Sequence, residues 1–193
     1  MIHGGVDGFS RMLVFLSAST SNAKEVVAGY FLNAVAKYGL PSRIRVDHGG
    51  ENNEIVAIME AVRGPQRGSA IQGRSVHNQR IERSWRDLWH NVSHIYHELF
   101  TFLEERGLLN VELQLDLWAL HYVFVPRINR DLEMYREQWN RHGLRTEHHM
   151  TPMQLFVSRS LALQGSSLTA NRDLFGTPAV FESAWENGPE TTL

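Results

Sequence analysis

Seven apolar residues, Ile81, Trp85, Leu88, Val92, Ile95, Leu99 and Leu103, recur in steps of three and four. That spacing holds one apolar stripe on one side of an α-helix for about six turns. Residues 77–105 therefore read as one long helix that must lie against a core. A second pattern follows over 113–141, with Leu115, Trp118, Tyr122, Val125, Ile128, Leu132, Tyr135 and Trp139 on its stripe. Pro126 lies inside it and should kink it. Because Trp85, Trp118 and Trp139 fall in these stripes, they read as core or helix-pairing residues rather than platforms for stacked bases.

The segments ahead of the long helices alternate in type. RMLVFLSAS (11–19) is a short apolar run that suits a buried strand. Residues 21–41 carry Val26, Val27, Tyr30, Phe31, Ala34 and Val35 at helical spacing, with Ser21 or Asn22 able to cap the start and Gly39 and Pro41 to stop it. SRIRVDHGGEN then gives a strand ending at Asp47 and a glycine turn. Asn52 or Asn53 can cap a helix to about Val62, and residues 67–73 suit another short strand. TPMQLFVS (151–158) suits a capped helix with Pro152 in its first turn. Strand, helix, strand is the order of a βαβ unit and points to a layered α/β fold. Beyond about Ser160 the periodicity fades, so residues 159–193 are expected to be a partly disordered tail behind one domain over 1–158.

Composition narrows the function classes. No run of about 18 apolar residues exists to cross a bilayer as a helix. The opening MIHGGVDGFSR lacks the basic and then apolar stretch of a secretion signal. With no cysteine, disulfides and thiolate metal sites are excluded, which fits an intracellular setting. A net charge of −2 does not announce a nucleic-acid binder, yet 17 of the 19 basic residues are arginine, the planar fork that grips phosphate or carboxylate with two hydrogen bonds. Between residues 63 and 86 six arginines (63, 67, 74, 80, 83 and 86) accompany a single acid, Glu82. The plain reading is a solvated basic face; the sharper one is a phosphate site beside a metal-binding carboxylate. His90, His94 and His97 fall at i, i+4 and i+7 and suggest zinc, but a polar helix face explains them and no further ligand has defined spacing.

Asp47 ends a strand where a glycine-rich turn begins, at the carboxyl edge of the sheet where α/β proteins place ligands. Glu82 opens the long helix and shares a face with Asn78 and Arg86. Two such carboxylates can chelate Mg²⁺, which takes hard oxygen ligands and leaves positions for water and phosphate. As plain alternatives, Asp47 can initiate a turn before Gly49, and Glu82 can pair with Arg86 across one helical turn.

"IRVDHGGEN", a 34-residue gap between Asp47 and Glu82, "HNQRIER", "WNRH" and "TPMQLF" together resemble the core domain of retroviral-type and transposon-encoded integrases, nearest to those of eukaryotic mobile elements, over about residues 4–157. The resemblance implies an RNase H-like α/β/α fold with a mixed sheet followed by two long helices. It also implies a polynucleotidyl transferase that uses two divalent ions, Mg²⁺ or Mn²⁺, held by three carboxylates. Asp47 matches the second acid and Glu82 the third. Arg80, Arg83 and Arg86 would bind DNA phosphates, with Asn78 near the DNA, and Asn140, Arg141 and His142 match a motif taken as structural. In this alignment "VDGFSRMLVFL" is the end of the family's second strand, so the first strand, central in the sheet, and the first aspartate are expected to be missing. Asp7 is a weak candidate for that acid; its plain role is a turn residue ahead of Gly8. The resemblance thus implies DNA integration chemistry that is incomplete in this chain, DNA as partner, a nuclear location and possible homo-oligomerisation. A non-catalytic DNA-binding or protein-interaction module, and an RNase H-like nuclease, are the alternatives.

Overall fold

The computed structural model describes residues 1–65, 67–73 and 79–163, with backbone alone at residues 79 and 80. Its contacts divide into two compact units. One contains Met1–Asn22 and Arg74–Arg159, the other Ala23–Gly73.

In the first unit β1 (Ile2–Val6) and β2 (Leu13–Ala18) form an antiparallel ladder, with Ile2 opposite Ala18 and an irregularity between Gly5 and Val6. The chain then returns through α3 (Gln79–Leu88), a π-helical turn at Trp89–Ser93, α4 (His94–Glu105), α5 (Gln114–Arg141) and α6 (Pro152–Ala162). Leu13, Leu16, Ala18, Leu88, Val92 and Leu132 are its buried centre, and Trp85, Ile128, Tyr135 and Trp139 pack around them. A Cβ on Gly4 would stand 3.0 Å from Trp85 Cη2, so glycine lets the indole close onto the strand.

α5 is bound to β2 by two asparagines. Asn140 is buried; its Oδ1 accepts the Leu13 N–H at 2.8 Å and its Nδ2 donates to the Leu13 carbonyl at 3.0 Å. Asn129 does the same to Ala18, at 2.7 and 3.0 Å, and its Oδ1 also accepts from the Ser17 hydroxyl. Eleven residues of helix and five of strand both span about 16 Å, so the two side chains meet the two ends of β2 in register. Backbone groups that would otherwise sit unpaired at a strand margin are thereby satisfied.

In the second unit α1 (Lys24–Tyr38), β3 (Ile44–Val46), α2 (Asn53–Arg63) and β4 (Ala70–Gln72) enclose Val27, Ala28, Phe31, Val35, Leu40, Ile55 and Met59. β3 and β4 run parallel, Ile44 beside Ala70 and Val46 beside Gln72. Gly39 ends α1 at φ 87°, with its N–H returned to the Val35 carbonyl.

Several expectations need correction. Among the described residues the strands form two two-stranded ladders, an antiparallel one in the first unit and a parallel one in the second. Ala23 occupies the N-cap of α1 without a side-chain bond, in place of Ser21 or Asn22. The long helical pattern is not one register. The π-helical turn inserts a residue, so Tyr96 and Phe100 follow Val92 inward, while Ile95 and Leu99 are exposed. On α5 only the half from Ile128 onward packs on the core; Trp118, read as core, is 62% exposed. The last helix runs to Ala162, past Ser158, and opens with a reciprocal capping box between Thr151 and Gln154, at 2.9 and 3.1 Å. The helix start near His77 and the tail from 164 lie outside the described residues.

Asn140→Ala strips both partners from Leu13 and should cost about 2–4 kcal/mol in urea denaturation, against about 1–2 for the less buried Asn129→Ala. Burial, aided by a 2.5 Å hydrogen bond to Asp131, pushes the Tyr96 hydroxyl up to about 12, and burial beside Asp87 does the same for Tyr135. Below the ordinary tyrosine value of 10 both states keep these protons, so the stability they confer is full there. Above it the unfolded chain releases them first, so stability should fall between pH 10 and about 12. Tyr96→Phe should shallow that alkaline slope, and an unchanged slope would count against the assignment.

Candidate functional site

β3 ends at Val46 and delivers Asp47 to the carboxyl end of the parallel ladder, where the Gly73 N–H reaches the Val46 carbonyl at 3.1 Å. The next residues turn tightly, through a 3₁₀ segment at Gly50–Asn52, into α2. Asp47 Oδ1 accepts the Gly49 N–H at 3.1 Å and the Asn52 Nδ2–H at 2.7 Å. Its other oxygen accepts no hydrogen bond among the described residues, and the side chain is half-buried. The result is a carboxylate fixed through one oxygen and presenting the second. Glu51 folds back over the same turn, and its carboxylate occupies the space that a Cβ on Gly49 would need.

Asn52 is the residue that sequence reasoning misplaced. It stands at the start of α2 but makes no cap bond; its amide holds Asp47 instead. The available signal was the Asp-His-Gly-Gly-Glu-Asn spacing, which lets a tight turn bring an amide back onto the acid it follows.

Glu82 lies in the first turn of α3, exposed, as are Arg83 and Arg86. It forms no ion pair with either, so the expected plain pairing of Glu82 with Arg86 does not occur. Trp85 and Leu88 take the packed side of the same helix. Asn78 and the Arg80 side chain lie outside the described residues. The arginines noted together in the sequence separate by role. Arg63 Nη2 donates to the Leu40 carbonyl at 2.8 Å, and burial, with Arg67 nearby, lowers its pKa. Arg67 reaches the Ser42 hydroxyl at 3.3 Å. These two brace the second unit, while Arg83 and Arg86 stay exposed in the first.

Asp7 is committed to its own turn: its Oδ2 accepts from the Phe9 N–H, the Ser10 N–H and the Ser10 hydroxyl at 3.2, 2.7 and 2.7 Å. His94 Nδ1 donates to the Trp89 carbonyl, the His97 ring stands edge-on to Trp89, and no group of three histidine or acidic side chains among the described residues could hold a metal. A divalent ion of the Mg²⁺ type commonly takes one or two protein carboxylates and completes its shell with water and phosphate; in the second unit Asp47 has an oxygen without a hydrogen bond, and in the first Glu82 is exposed.

A family model described as an integrase core domain matches residues 1–170, most of the chain, including both acids and the arginine-bearing start of α3. The chain belongs to the integrase core domain family. No curated protein matches it. Integrase core domains carry an RNase H-like α/β fold, and this integrase core shows mixed α/β structure with two small ladders and several helices. The family works on DNA and in general uses divalent metal. Among the described residues of this member, no helix is long and apolar enough to cross a membrane.

Asn52→Ala removes a donor from an ionised acceptor and should lower the unfolding free energy by about 1–2 kcal/mol. Asn53→Ala, one residue on, should stay within about 0.5 kcal/mol. Urea titration of both variants checks the pair.

Proposed function

We propose that this integrase core acts in DNA strand transfer with Asp47 and Glu82 as its metal-holding carboxylates. The fixed, one-sided presentation of Asp47 by Gly49 and Asn52 carries the reading. A carboxylate already held through one oxygen loses little freedom when the other takes up a cation. The bound divalent ions, two in a complete site, would supply charge stabilisation at phosphorus and sharpen a hydroxyl or water as nucleophile. The chain's own residues would bind and orient. Exposed Arg83 and Arg86, with Arg80 and Asn78 by resemblance, would hold DNA phosphates and set register without reading bases. A nuclear location accompanies this reading.

The second reading is a non-catalytic DNA-binding or protein-interaction module: Asp7 spends one oxygen on three donors of its own turn and is assigned there, which leaves Asp47 and Glu82 as the acids assigned to metal. An RNase H-like nuclease shares the metal chemistry and differs in substrate, since it would cut RNA in a hybrid rather than join DNA.

Millimolar Mn²⁺ or Mg²⁺ should raise the thermal midpoint of the chain, and Asp47→Asn and Glu82→Gln should each diminish that rise. In duplex-DNA binding, Arg83→Ala and Arg86→Ala should each reduce the log–log salt slope by about 1. Metal stabilisation that both acid variants leave intact would sink the assignment of the acids. Loss of the salt-slope effect would remove the phosphate contacts. DNA binding with no metal response would leave the non-catalytic reading.

A further inference from the structure

Both hydrogen bonds to Asp47 fall on the same oxygen. Oδ1 accepts the Gly49 N–H and the Asn52 amide, so an approaching cation meets Oδ2, which accepts no hydrogen bond among the described residues. The Gly49 bond comes from the main chain. The Asn52 bond, the shorter of the two at 2.7 Å, comes from a side chain. Asn52 is itself anchored, since its N–H returns to the Gly49 carbonyl at 3.1 Å where the 3₁₀ segment runs into α2. Its amide is therefore held at the acid by hydrogen-bonded backbone.

Magnesium and calcium ions carry the same charge, so Coulomb attraction to Asp47, and to Glu51 in the same turn, draws both alike. Geometry is what separates them. Mg²⁺ holds a near-ideal octahedron at about 2.0–2.1 Å, whose right angles the two oxygens of one carboxylate cannot span. Ca²⁺ gathers roughly six to eight oxygens at about 2.3–2.6 Å and readily takes both from one carboxylate. We propose that Asn52 is a specificity-determining residue of this site: by keeping Asp47 Oδ1 engaged it confines the carboxylate to coordination through one oxygen and so discriminates against Ca²⁺. Coordination through both oxygens would break the Asn52 and Gly49 bonds to an ionised acceptor and leave a half-buried amide to find another partner. Coordination through Oδ2 alone keeps both. This inference rests on the assignment of Asp47 to metal.

The test reads ion preference rather than turnover. The Gly49 amide, a donor to Oδ1, reports on the carboxylate in NMR spectra of the full chain titrated with MgCl₂ or with CaCl₂ at constant ionic strength. Asn52→Ala should raise the ratio of Ca²⁺ to Mg²⁺ affinity by about threefold or more. A purely structural role would lower both affinities together, and a smaller folded fraction cancels from the ratio. Asn52→Ser, with a shorter side chain, is the alternative should alanine unfold the turn, and Asn53→Ala should keep the wild-type ratio. If the Asn52 variants keep the wild-type ratio while Asp47→Asn abolishes binding of both ions, the role of Asn52 is overturned and Asp47 stands as a metal carboxylate. If Asp47→Asn leaves the binding of both ions intact, the assignment of Asp47 falls and the inference falls with it.

Discussion

The first unit depends on the attachment of α5 to β2 through Asn129 and Asn140. Each asparagine offers one acceptor and one donor in the geometry of a backbone amide, so each acts as a fragment of a neighbouring strand. Their separation along the helix matches the length of the strand, which fixes α5 along β2 without a further strand to guide it. The rest follows from that placement. Leu132 enters the core, Trp139 reaches the Arg11 carbonyl with its indole N–H, and the loop after α5 comes back to Arg11 through Thr146 and Glu147.

In the second unit a comparable economy operates at Asp47. One turn, set by two glycines, places a strand-end carboxylate, an amide that holds it and a second carboxylate in a few residues. Holding an acid by hydrogen bonds to one oxygen is different from neutralising it with an arginine. Charge and an open coordination position both survive, which is the condition a metal-holding carboxylate must meet. Asp7 shows a like arrangement, with three donors converging on one oxygen in a turn between strands.

Much of the fold was legible because it rests on local rules. Gly39 ending α1, Pro152 opening α6 and the apolar runs of β2 and β3 each follow from backbone geometry within a few residues. The misreadings of the long helices share one cause, the assumption that a stripe continues in constant phase and is covered along its whole length. The π-helical turn at Trp89–Ser93 shifts the phase by one residue, so Tyr96 and Phe100 replace Ile95 and Leu99 on the packed side. In α5 the stripe begins in sequence ahead of the half that packs on the core, and Trp118 is exposed. The site was partly legible: Asp47 at a strand end and Glu82 in the first turn of a helix follow from pattern, while the role of Asn52 does not.

The sequence by itself determined most of the segments that become strands and helices, the excess of arginine over lysine, the absence of thiol chemistry and the two acids with their family spacing. These are properties of neighbouring residues and of composition, so no tertiary contact is needed to read them. Only the tertiary structure decided that Asn140 and Asn129 act as strand substitutes, that Arg63 braces a loop carbonyl, and that Leu115, Trp118 and Tyr122 of the α5 stripe are exposed. Each of those turns on which hydrogen-bond partner or apolar surface arrives from another part of the chain. Residue identity limits the possible partners, and packing selects among them.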